Sequence, residues 1–93
     1  MADLELPDAV ELDTKVRLAV AINRSLSARR MTQAAAAAEL SISQPKVSAL
    51  KNYRLEGFSV ERLMSFLTSL GSDIEIRIRA PKRTRGQIRV EAV

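Results

Sequence analysis

Apolar positions recur at helical spacing over most of the chain and at every second residue near its C-terminus. Val16, Ala19, Val20, Ile22 (or Asn23 beside it) and Leu26 form one stripe at helical spacing, which predicts a helix from Asp13 to about Arg29. Asp13 is placed to cap it, and Arg29 and Arg30 suit the negative end of its dipole. Thr32 predicts the cap of a second helix over 33–40, which Ser41, Ile42 and Ser43 interrupt. Ser43 caps a third helix reaching about Asn52, and Pro45 falls in its first turn, where a missing N–H costs nothing. Residues 53–58, with Gly57, read as a loop. Ser59 caps a fourth helix over 60–70, with Val60, Leu63, Met64, Leu67 and Leu70 inward and Gly71 placed to end it. Ahead of the helices, residues 1–12 read as an extended or flexible acidic segment interrupted by Pro7.

Past Gly71 the period changes. Ile74, Ile76 and Ile78 alternate with Glu75, Arg77 and Arg79, which predicts a strand with one apolar face. A basic turn over 81–86 follows, and Ile88, Val90 and Ala92 alternate once more, so the end of the chain is expected to be a β-strand or hairpin. An exposed apolar strand needs a cover. Ile74, Ile76 and Ile78 are therefore assigned to pairing across a two-fold axis, in preference to packing under the chain's own helices. Three parts result: the acidic segment 1–12, a helical domain over 13–71, and a basic dimerisation region over 72–93.

Composition narrows the function. Ninety-three residues suit a single domain, and a hydrophobic fraction of 46% is that of a folded chain. The aromatics are Tyr53, Phe58 and Phe66, so the core is small and aliphatic, and a partner is expected to add buried area. The absence of Cys and His removes disulfides, thiolate chemistry, zinc patterns and the commonest general base. No catalytic, cofactor-binding or metal-binding residue is assigned, and an enzyme is not expected. The N-terminus does not have a signal-peptide pattern, and no uncharged run approaches the roughly 20 residues of a bilayer span, so the expected location is cytoplasmic with no membrane partner. The net charge of +4 is unevenly spread. Residues 1–13 hold five acids and no base, leaving fifteen bases against six acids in the remainder. Between Ile76 and Arg89 six bases occur without an acid. This balance points to a polyanion, and duplex DNA is the usual one for a small domain. Lys82, Arg83, Arg85 and Arg89 fit either a phosphate-binding stretch or a solubilising tail.

The specific signal lies in residues 31–53. Their pattern is that of two short helices crossing steeply through a three-residue turn. Close crossing needs small residues, and Ala34 to Ala38 supply them. Ile42 is placed to fix the angle of the turn, and Val47 and Leu50 to anchor the third helix. Gln44, Lys46, Ser48, Ala49 and Lys51 are left off the core, polar or short groups suited to a major groove.

Thr32-Gln33, Leu40-Ser-Ile-Ser-Gln44 and Val47-Ser48 resemble the helix-turn-helix of the Cro/repressor (xenobiotic-response-element) family, over roughly Leu26–Leu70. A longer pattern is similar to HigA-type antitoxins: Gln44 to Leu50, Gly57-Phe-Ser59, Arg62-Leu-Met64, Leu67, Leu70-Gly71 and the segment 74–78. The resemblance implies a mainly α, lambda-repressor-like bundle of about four helices with a C-terminal strand or hairpin. It implies that Gln33 contacts a phosphate and braces the reading helix, that Gln44 pairs with an adenine edge, and that Lys46 reaches guanine or phosphate. Lys51, Asn52 and Tyr53 fall where the family touches the DNA backbone, and Ser43, Pro45, Ser48, Ala49 and Arg54 complete the implied interface. Two positions depart from the family. Ser41 replaces the turn glycine and must turn left-handed at some cost, and Ala49 is short, so that it offers only a thymine-methyl contact. The function implied is a transcriptional repressor that binds double-stranded operator DNA as a homodimer, its half-sites roughly 34 Å apart. It would also be the antitoxin of a type II toxin–antitoxin pair, with the acidic segment masking a cationic toxin. A stand-alone regulator without a toxin, and a module that binds protein only, are the alternatives.

Overall fold

Three helices of this protein begin where a hydroxyl supplies the acceptor that a first-turn N–H lacks. The structure, a computed structural model, describes residues 8–81 and 85–92. Its helices are α1 (Asp8–Ala28), α2 (Gln33–Leu40), α3 (Gln44–Lys51) and α4 (Val60–Ser69). Thr32 Oγ1 accepts from the Ala35 N–H at 3.0 Å, Ser43 Oγ from Lys46 at 3.3 Å and Ser59 Oγ from Arg62 at 3.1 Å. Each such cap contributes about 1 kcal/mol, and all three stand where the sequence placed them.

Helix α1 starts earlier than its pattern suggested. Residues 8–12, read as part of an extended segment, are helical, and Asp13 lies inside the helix instead of capping it. Residues 1–7 of that segment lie outside the described residues. The cause is electrostatic. Asp8 and Glu11 occupy the first turn, where the helix dipole favours anions, and acids one turn ahead of bases give Glu11–Lys15 (3.8 Å) and Asp13–Arg17 (3.1 Å) pairs. The inner face is also rotated slightly. Leu18 is buried with Ala19, Ile22 and Leu26, while Val16 and Val20 are only partly covered.

Helix α1 packs along α4, and α2 packs against α3. Ala36 is fully buried, its small side chain permitting the close approach that the sequence called for. Between α2 and α3, Ser41 takes φ 56° and ψ 45°, and its N–H reaches the carbonyls of Ala37 and Ala38. Loop residues Leu55 and Phe58 join the core, and Phe58 meets Phe66 edge-to-face at 5.9 Å between centroids. Gly71, at φ 88°, ends α4.

Arg29 serves a different helix from its own. Its guanidinium donates to the Leu70 carbonyl at the end of α4 and stands 3.6 Å from the Glu39 carboxylate of α2. One side chain thereby ties three helices at a corner.

No strand forms among the described residues. The expected C-terminal strand or hairpin is absent among the described residues, because a strand exists only through its ladder and residues 74–81 and 85–92 make no backbone hydrogen bond to a neighbouring stretch. Ile74 packs against the core, whereas Ile76 and Ile78 are 75% and 93% exposed. The two-residue alternation identified side chains that share a face; it carried no information on whether that face had a partner.

Candidate nucleic-acid interface

Helix α3 is short, and its position depends on what grips its two ends. On the inner side Val47 and Leu50 are fully buried. At the start of the helix, the Gln33 side-chain Nε2 donates to the Gln44 carbonyl at 3.0 Å. At its end, Asn23 Nδ2 of α1 donates to the Leu50 carbonyl at 3.3 Å. The Asn23 Oδ1 atom is buried without a hydrogen-bond partner. An unpaired buried acceptor costs free energy, so α1 accepts that cost while holding α3. Asn23 was missed in the sequence because it sits beside the apolar stripe of α1; its one signal was a polar residue next to Ile22.

The other side of α3 faces outward. Gln44, Pro45, Lys46 and Lys51 are exposed, and Ser48 and Ala49 are partly covered. The Gln44 side chain is separate from the brace, which uses only its backbone carbonyl. Ser43 commits its hydroxyl to the cap of α3. Lys46 bends toward the following loop, its Nζ 5.3 Å from the centre of the Phe58 ring. Such a contact at an exposed site is worth about 0.5–1 kcal/mol, so Lys46 is partly occupied with holding the loop.

After α3 the backbone turns sharply. Asn52 folds back, donating from Nδ2 to the Ser48 carbonyl at 2.8 Å. Tyr53 takes φ 58°, uncommon for a bulky residue, and is partly exposed. The turn is held by the Tyr53 N–H on the Leu50 carbonyl and the Arg54 N–H on the Ala49 carbonyl. Lys51 and Arg54 are exposed, and among the described residues neither forms an ion pair.

The structure thus brings Gln33, Ser43, Gln44, Pro45, Lys46, Ser48, Ala49, Lys51, Asn52, Tyr53 and Arg54 onto α3 and its two flanks. Ile74, Ile76 and Ile78 stand apart, beyond α4. A rigid rod with a polar and cationic outer edge has the width that a major groove, about 12 Å across, admits. Among the described residues no acidic cluster is placed to hold a metal ion, and no helix is long and apolar enough to cross a membrane.

Comparison with known proteins agrees with this geometry. The helix-turn-helix domain family matches residues 1–79. A solved structure named as a candidate XRE family transcriptional regulator is 57% identical, with a TM-score of 0.82, and the match covers 94% of this chain and 98% of that one. No curated protein matches.

Proposed function

Since the chain belongs to the XRE-type helix-turn-helix family of DNA-binding transcriptional regulators, we propose that it represses transcription by placing α3 in the major groove of a palindromic operator. The observation that carries this reading is a helix pinned at both ends, by Gln33 and Asn23, with its outward edge left uncovered. In this reading the Gln44 amide pairs with adenine and Ala49 touches a thymine methyl. Gln33, Lys51, Tyr53 and Arg54 meet phosphates, as does Lys46 where it leaves Phe58. Asn52 orders the end of α3, and Ser43, Pro45 and Ser48 line the approach.

Two copies are needed to read a palindrome. Ile76 and Ile78, exposed and on one side of the alternation, supply an apolar face for a homodimer in which Ile74 continues the stripe inward. Recognition helices of such a dimer would lie about 34 Å apart. The similarity of the 44–78 pattern to HigA-type antitoxins, with the acids at the start of α1, supports a second role as antitoxin to a cationic toxin. Co-purification with the product of an adjacent short reading frame tests that role, and a gene with no such neighbour would remove it.

The regulator reading is tested by gel shift on the gene's own upstream region across a salt series. Binding should discriminate that region from random duplex and weaken steeply as salt rises. Salt-insensitive behaviour, or none on either duplex, would leave only the protein-binding module.

A further inference from the structure

The chain leaves the helical body after Ile74 and returns to it at Val90. Both residues pack against the core, and every described residue between them is exposed. The described stretches 75–81 and 85–89 form an arm fastened at Ile74 and at Val90. Among its described residues it carries Arg77, Arg79, Arg85 and Arg89; Lys82 and Arg83 lie outside them. Arg77 stands 4.0 Å from Glu75, but both side chains are about four-fifths exposed, and such a pair is worth little. Arg89 touches Gln87 at 3.4 Å, and among the described residues Arg79 and Arg85 form no ion pair. The guanidinium groups are thus available.

Their arrangement is more specific than solubility demands. No acid interrupts the stretch from Ile76 to Arg89, although mixed charges keep a surface soluble equally well. Along the sequence Arg77 and Arg79 alternate with Ile76 and Ile78. In extended chain, residues two apart lie about 6.6 Å from each other. Arginines so spaced can meet separate phosphates of one DNA strand, which carries a charge at every nucleotide. Guanidinium suits that target, being always charged and able to grip a phosphate with two N–H groups.

We propose that the arm's described stretches, 75–81 with Arg77 and Arg79 and 85–89 with Arg85 and Arg89, are a second DNA-binding element, which holds the phosphate backbone without reading sequence and is separate from α3. The proposal rests on the regulator reading above. Its test uses two double variants, Arg77→Gln with Arg79→Gln and Arg85→Gln with Arg89→Gln. The probes are a random-sequence duplex a few helical turns long and the upstream-region duplex, titrated by fluorescence anisotropy over a salt series. Each lost phosphate contact lowers the slope of log affinity against log salt by about 0.9. At least one double variant should therefore lose up to about 1.8 in slope, equally on both duplexes, with their affinity ratio unchanged. Unchanged slopes in both variants would overturn the proposal and leave α3 untouched, as would a change confined to sedimentation behaviour, which would assign the arginines to subunit contacts. Wild-type protein that binds neither duplex would instead remove the regulator reading itself.

Discussion

At Gln44 backbone and side chain do separate work. The carbonyl accepts the Gln33 brace, and the amide is exposed beyond it. Gln44→Ala should therefore keep the fold, cost about 1–3 kcal/mol in operator binding and relax preference at one base position, whereas Lys51→Ala should weaken binding to all duplexes alike. Affinities for a set of singly substituted operators separate these outcomes; intact discrimination in the alanine variant would put the reading helix elsewhere. Gln33→Ala removes the brace and should lower stability by about 0.5–1.5 kcal/mol, read by urea unfolding. The caps at Thr32, Ser43 and Ser59 and the exposed edge of α3 were legible in the sequence because a cap acts over three residues and a helix face over four. The contact of Lys46 with Phe58 was not, since it depends on how the loop returns to α3.

At the scale of elements, the turn between α2 and α3 stores a measurable strain. Left-handed backbone costs a non-glycine residue about 1–2 kcal/mol, while glycine adds about 0.4–1 kcal/mol of unfolded-state entropy to be lost on folding. The first effect is larger, so Ser41→Gly should raise stability by about 0.5–1 kcal/mol, visible as a melting point a few degrees higher. A fall in melting temperature would mean that the hydroxyl does something there that the backbone geometry does not reveal. Helix α3 itself relies on burial. Leu50→Ala opens its inner side and should cost about 2–5 kcal/mol, and thermal melting with loss of DNA binding checks it. Arg29 shows where pattern reading stops: a cation after α1 suggested service to its own helix end, and the packing sent it to the Leu70 carbonyl and Glu39.

For the whole molecule, the helical body and the arm obey different rules. The radius of gyration is 14.2 Å, against about 12 Å for a compact chain of this length, which fits a body with a projecting part. Ile76→Asp with Ile78→Asp should leave circular dichroism and the melting of the isolated subunit unchanged, because both side chains are already in water. The same pair should convert the proposed homodimer to monomer in sedimentation and reduce operator affinity. A dimer that survives these charges would place the two-fold contact on another surface.

The sequence by itself determined the presence of the four helices, the caps at Thr32, Ser43 and Ser59, the left-handed turn at Ser41 and the exposed edge of α3, because periodicity, hydroxyl caps and turn chemistry act over a few neighbouring residues. Only the tertiary structure decided that Asn23 grips α3 at the end opposite Gln33 and that Arg29 closes a different helix. It also decided that, among the described residues, the alternating C-terminal pattern forms no strand. These outcomes depend on groups brought together from distant positions or on a partner that a single chain does not contain, and spacing along a chain cannot encode either.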